Sequence, residues 1–310
     1  MDKKKKKGKK DIRTWFQIAF AAVTNGYLIG FAKGKIFTGK TKAVCLPGLN
    51  CYSCPGALGS CPIGSLQSVL ADRNYKFSFY VVGFLIFVGA IFGRFVCGWL
   101  CPFGLVQDLL YKIPFPKKLK KLPGDKWLKY LKYVILVGFV IVLPLTVLDI
   151  VGQGQPWFCK YICPSGTLFA GIPLIAANKP LQAVLGWLFT WKTAILVVLI
   201  VLSVFVYRPF CRYLCPLGAV YGLFNPIAFM RFKVDEEKCI HCSVCQKSCK
   251  FDIPVYEKPN SVECIRCGDC KRSCPHGAIN YSFDWRAHAL PAEKPADTVS
   301  LQRSEERRVG

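Results

Sequence analysis

Thiols are the chemistry this chain offers most of, with 18 cysteines in 310 residues, nearly all in short regular runs. The densest are Cys239-x-x-Cys242-x-x-Cys245-x-x-x-Cys249 and Cys264-x-x-Cys267-x-x-Cys270-x-x-x-Cys274-Pro275. That spacing holds two [4Fe–4S] clusters, because the fourth cysteine of each run reaches across to the cluster of the other. One set is therefore expected to be Cys239, Cys242, Cys245 and Cys274, and the second Cys249, Cys264, Cys267 and Cys270. The chemistry implied is one-electron transfer, and it needs thiolates kept reduced, as they are in the cytosol.

The other cysteines gather in four runs that each end in Cys-Pro-x-Gly. They are Cys97-x-x-x-Cys101-Pro102-Phe103-Gly104, Cys211-x-x-x-Cys215-Pro216-Leu217-Gly218, Cys159-x-x-x-Cys163-Pro164-Ser165-Gly166, and Cys45…Cys51-x-x-Cys54-Pro55…Cys61-Pro62-Ile63-Gly64. Cysteines four residues apart share one face of a helical turn, so both sulfurs can meet one cluster. Proline after the second cysteine suits the first helical position, where its missing N–H is no loss. The glycine lets backbone approach closely. The new helix aims its positive end at an anionic cluster, which Arg94 or Arg208 would also favour. Four thiolates need two such runs. Cys97, Cys101, Cys211 and Cys215 make one complete set, with inert apolar cysteines and a zinc site as the competing readings.

Apolar segments must carry these runs. The chain is 53% hydrophobic, with a mean hydropathy of +0.32 and a net charge of +24. Residues 12–32, 77–96, 131–150 and 187–207 each reach the roughly 20 residues that cross a bilayer. Residues 167–177, broken by Gly171 and Pro173, read as an interfacial or re-entrant segment. The positive charge sits in blocks, Lys3 to Lys7 with Lys9 and Lys10, then Lys112, Lys117, Lys118, Lys120, Lys121, Lys126 and Lys129. Lysine blocks beside apolar stretches mark cytoplasmic loops and attract anionic lipid headgroups, so the expected partner is a lipid bilayer and not nucleic acid. The N-terminal segment lacks a small-residue cleavage site and reads as a retained anchor.

The expected fold is an α-helical membrane protein of four transmembrane helices, internally duplicated, with a small α+β ferredoxin-like domain at the C-terminus. Its parts are a basic cytoplasmic N-terminus (1–11), a membrane domain (12–226), a ferredoxin domain (227–284) and a disordered tail (285–310). The expected location is multi-pass in the cell membrane, both termini cytoplasmic, with loops 34–76 and 151–182 facing outward. Each half then reads span, outer cysteine run, span, inner cysteine run, as paired repeats do. Cys97, Cys101, Cys211 and Cys215 become an inner-face set. The preferred outer-face set is Cys54, Cys61, Cys159 and Cys163, with Cys51 able to replace Cys54. On that choice Cys45 and Cys51 are left to pair as a disulfide, stay free or help hold another centre.

What is missing narrows the chemistry. His241, His276 and His288 all follow the last span, so no membrane helix offers a bis-histidine haem site, and no haem is expected. No Cys-x-x-Cys-His run, phosphate-cradling loop or dinucleotide fingerprint appears. An electron carrier is expected, without a substrate of its own, or a subunit of an oxidoreductase complex. His241 and His276 read as solvated, with tuning of a neighbouring cluster as the alternative. The tryptophans near span ends suit interfacial belts, Lys192 is expected to snorkel, and Asp108 and Asp149 read as helix-end carboxylates before proton relays to a quinone.

Residues 234–281 resemble the bacterial 2[4Fe–4S] ferredoxins, departing where Lys250 follows Cys249 in place of proline. Residues 12–280, through Cys97-x-x-x-Cys101-Pro102, Cys211-x-x-x-Cys215-Pro216 and the appended ferredoxin, resemble the NapH-type membrane polyferredoxins. They are also similar to the iron–sulfur portion of the nitrous-oxide-reductase accessory proteins. The resemblance implies up to four [4Fe–4S] clusters and electron transfer between a quinone pool or cytosolic donor and a partner redox enzyme. An accessory role, sensing redox state or reducing a metal centre while another enzyme matures, uses the same ligands. A conduit across a bilayer meets one difficulty, the roughly 30 Å of hydrocarbon between inner and outer sets.

Overall fold

A computed structural model describes residues 12–72, 79–116, 118–149, 153–183 and 185–284. The basic residues 1–11 and the tail 285–310 lie outside the described residues. Within them one unit recurs: an apolar helix, a cysteine turn, and a second helix opened by proline. The apolar helices are Ile12–Thr24, Phe79–Phe92, Asp125–Thr146 and Trp187–Phe205. The proline-opened helices are Pro62–Leu70, Pro102–Lys112, Pro164–Ala177 and Pro216–Phe224.

The Cys-Pro-x-Gly sequence explains each opening. Cys61, Cys101, Cys163 and Cys215 occupy the N-cap position with extended backbone, and the proline follows at once. At Cys215 the glycine three residues on, Gly218, donates its N–H to the cysteine sulfur at 3.4 Å, and Gly64, Gly104 and Gly166 stand at the same place after Cys61, Cys101 and Cys163. This is helix N-capping with sulfur in the role usually played by a hydroxyl or carboxylate.

Among the described residues two helices are long and apolar enough to cross a membrane, Asp125–Thr146 and Trp187–Phe205. The other two expected spans are interrupted. The first breaks after Thr24, where Leu58 donates to the Thr24 carbonyl at 2.9 Å and Tyr27 to that of Gly56 at 3.2 Å. Its remainder is the short helix Leu28–Lys33. The second stops at Phe92, because Gly93 turns with φ 50° and Arg94 is fully buried. The segment read as re-entrant joins the continuous helix Pro164–Ala177, with a π-helical stretch at Thr167–Gly171 just before Pro173. A second π stretch, Leu136–Val142, precedes Pro144. Proline leaves a carbonyl one turn back without its usual donor, and a wider turn accommodates it.

The C-terminal module closes on a two-stranded antiparallel sheet, Met230–Val234 against Ile279–Phe283, with Phe232 opposite Tyr281. It is built into the helical unit. Arg266, buried, donates to the carbonyls of Phe92 (2.7 Å) and Asn225 (2.8 Å). The Asn225 amide donates to the carbonyls of Cys264 and Ser261 at 2.7 and 2.9 Å, and Trp99 donates to the Arg266 carbonyl at 3.1 Å. A β-carbon on Gly98 would sit 2.3 Å from the Ile265 carbonyl oxygen. The module's backbone therefore rests on the glycine between Cys97 and Cys101.

Candidate iron–sulfur centres

The structure groups the module's thiols in two sets. Cys239, Cys242, Cys245 and Cys274 line one small cavity, with His241 and His276 on its wall. Cys249, Cys264, Cys267 and Cys270 line a second, closed by Phe232, Phe251, Ile253 and Val255. Each cavity takes three sulfurs from one run and one from the other. Lys250, in place of the usual proline, reaches toward Asp269 at 3.7 Å and lies over the Tyr207 ring.

Cys97, Cys101, Cys211 and Cys215 form a buried quartet whose thiols all feel one another. The two arginines cross over: Arg94 donates to the Cys211 carbonyl at 2.9 Å and Arg208 to the Cys97 carbonyl. The glycines expected to face a cluster make room for these arginines instead. A β-carbon on Gly104 would meet the Arg208 guanidinium at 3.2 Å, and one on Gly218 that of Arg94 at 3.2 Å. Gln107 donates to the Cys211 sulfur at 3.2 Å. Burial pushes the Cys97 and Cys211 thiols up to about 11, and Arg94 and Arg208 pull the other way. Loading metal on such thiols releases protons.

The outer quartet repeats the plan with one change from the sequence expectation. Cys51, Cys61, Cys159 and Cys163 line a chamber of about 790 Å³. The Cys51 sulfur would be 3.6 Å from a β-carbon on Gly166, and that of Cys159 3.8 Å from one on Gly64. Gln67, six residues after Cys61, donates to the Cys159 sulfur at 3.3 Å, matching Gln107, six residues after Cys101. Cys54 is not on the chamber wall. Its sulfur turns to the Asn25 side chain at 3.7 Å and takes the N–H groups of Gly56 and Ala57. Cys45 does line the chamber, 3.7 Å from the Ser60 hydroxyl. Burial lifts the Cys61 thiol to about 12 and the Cys163 thiol to about 11. Lys192, expected to snorkel, instead donates to the Cys159 carbonyl at 3.1 Å and lines the chamber with Lys42.

The sequence family described as a 4Fe-4S binding domain matches residues 76–123, 131–179 and 186–235. Each match spans one helix, cysteine turn and following helix. The chain is 31% identical over 203 residues to an uncharacterized protein of Methanocaldococcus jannaschii, covering 64% of this chain and 68% of that one. It is 28% identical over 194 residues to the putative electron transport protein YccM of Escherichia coli (56% and 46% covered). It is 26% identical over 194 residues to the ferredoxin-type protein NapH of Haemophilus influenzae (58% and 56% covered). The chain belongs to the NapH-type polyferredoxin family. No solved structure matches it.

Two buried carboxylates complete the polyferredoxin's sites. Asp108, read from sequence as a helix-end residue, is enclosed between Arg13 (2.7 Å) and Arg208, which it grips with both oxygens. Those cations hold its carboxyl below the usual range although burial opposes them. Glu263, unremarked in the sequence, pairs with Arg94 at 2.9 Å and with Lys132. One loop bridges the inner and outer sets. Gly48 lies against Cys101, and the Leu49 N–H faces the Cys101 sulfur. The loop with the outer cysteines therefore packs on the inner ones.

Proposed function

We propose that this polyferredoxin carries single electrons through a line of four iron–sulfur centres, from its C-terminal module toward the outer chamber or back. When bound, [4Fe–4S] clusters supply reversible one-electron oxidation and reduction. The donor sets suit them, since each brings at least four thiols together. Among the described residues no three His, Cys, Asp or Glu side chains converge on a single-ion site. Zinc bound by thiolates at about 2.3 Å would draw the sulfurs to within roughly 4 Å of one another.

The chain's own residues prepare these sites. Arg94 and Arg208 at the inner quartet, and Lys42 and Lys192 at the outer, offset the negative charge of thiolate ligands. Four proline-opened helix starts add their positive ends. Burial keeps water from the inner quartet, whose four thiols are each no more than 6% exposed. Membrane residence is supported by the Trp187–Phe205 helix, which leaves Val197, Val198 and Val201 half exposed or more, as a lipid-facing surface would.

The observation that carries the proposal is contiguity. The Ile265 backbone, beside Cys264, lies against Gly98, and Gly48–Leu49 joins Cys101 to the outer loop. Anaerobically purified protein should hold about 16 irons with matching sulfide, four for each quartet. Cys51→Ser should lose one cluster's iron and Cys54→Ser none. A content of about 8 irons, the module alone, would defeat the proposal. The outer chamber, with apolar walls from Leu49, Val69, Val81 and Leu174 and a volume typical of small-molecule pockets, is where we place an organic donor of the quinone class. Reduction of the bound iron by a short-chain quinol tests that placement, and no reduction would remove it.

A further inference from the structure

Between the inner and outer quartets, residues 48–50 ligate nothing in the proposed sites yet are closely held. A β-carbon on Gly48 would lie 3.1 Å from the Cys101 Cα and 3.4 Å from the Leu100 carbonyl oxygen, so glycine is what permits the approach. Leu49 follows, buried, with its N–H facing the Cys101 sulfur, and lines the chamber. Two residues later comes Cys51, a member of the outer quartet. Tyr221, fully buried, donates to the Pro47 carbonyl at 3.2 Å. It neighbours Cys97 and Cys101 from one quartet and Cys61 and Cys45 from the chamber. In the duplicated unit its position belongs to Gln107, which bonds a cysteine sulfur instead.

We infer that the Gly48–Cys51 segment, braced by Tyr221, is the electronic bridge between the inner and outer quartets. The inference rests on reading those quartets as iron–sulfur centres. Tunnelling falls exponentially with distance, and less steeply through bonds than across a gap. Here the close seat of Gly48 on Cys101 and a short run of backbone lead from the Cys101 residue to Cys51. The step moves one electron: the inner centre is oxidised by one and the outer reduced by one, while no bond breaks and no proton moves. The reductant is a low-potential one-electron donor acting at the C-terminal module.

The test uses full-length protein, anaerobic and iron-replete, reduced with dithionite and followed by freeze-quench EPR. Leu49→Pro deletes the bridging N–H, Leu49→Met keeps it, and Tyr221→Phe frees Pro47 without touching a ligand. Iron content is measured first. With iron unchanged, the outer signal should develop roughly tenfold more slowly in Leu49→Pro, equivalent to about 1.4 kcal/mol in barrier. Tyr221→Phe should slow it less, and Leu49→Met should match the native protein. If Leu49→Pro fails to load iron, Tyr221→Phe alone decides. Native rates in the loaded variants would overturn the bridge. Native protein without iron at the membrane quartets would overturn the iron–sulfur reading instead.

Discussion

The two halves of the helical unit solve one electrostatic problem with carboxylates of different origin. Arg208 in the second half is neutralised by Asp108, which lies on the proline-opened helix of the first half and also holds Arg13. Arg94 in the first half should find its carboxylate at the position equivalent to Asp108, but that residue is Gly222. A β-carbon there would be 3.0 Å from the Val262 carbonyl oxygen and 3.5 Å from the Arg94 side chain. Into that vacancy the C-terminal module inserts Glu263, which takes Arg94 and, in the place of Arg13, Lys132. One site is closed between the two halves; the other is completed by the module. The ferredoxin module is thus part of the core and not a tethered accessory.

Removing either carboxylate strands two buried cations, and breaking a buried pair costs about 3–5 kcal/mol. Asp108→Asn and Glu263→Gln should therefore lower the melting temperature comparably. Only Glu263→Gln should also expose residues 244–283 to hydrogen exchange and protease. Adding Gly222→Asp to Glu263→Gln should recover much of the melting temperature while leaving the module exposed. Equal exposure in Asp108→Asn and Glu263→Gln would erase the distinction between the halves. The smallest effect belongs to the half-exposed contact of Lys121 with Asp252 at the module's edge. Lys121→Ala should cost no more than about 1 kcal/mol, as solvent-screened pairs do, and a larger loss in the melt would mean the docking is shared across the surface.

The sequence was most legible where ligands are local. The grouping of the module's eight thiols follows from spacing within two short runs. Cys97, Cys101, Cys211 and Cys215 were legible because duplication pairs like with like, and Arg94 and Arg208 stood in the same register. Cys51 and Cys54 could not be separated by spacing. What separates them is Asn25, a residue distant in sequence that takes the Cys54 sulfur, together with the turn at Gly56. Hydropathy likewise averaged across the breaks at Asn25–Gly26 and Gly93–Arg94, where hydrogen bonds to other loops end the helices. Placing the inner and outer cysteines on opposite faces assumed straight spans. The close seat of Gly48 on Cys101 depends on packing that no charge count conveys.

As proposed iron–sulfur sites, the inner and outer quartets also set a schedule for making the protein. Each takes thiols from turns far apart in the chain, Cys97 and Cys101 with Cys211 and Cys215, and Cys51 and Cys61 with Cys159 and Cys163. Neither site can close until its later turn has left the ribosome. The early cysteines must wait, reduced and unligated, while more than a hundred residues are added, the interval from Cys101 to Cys211 being 110 positions. On the proposed reading, iron insertion is a late event in this chain's biogenesis, and it is also the step that fastens the halves together.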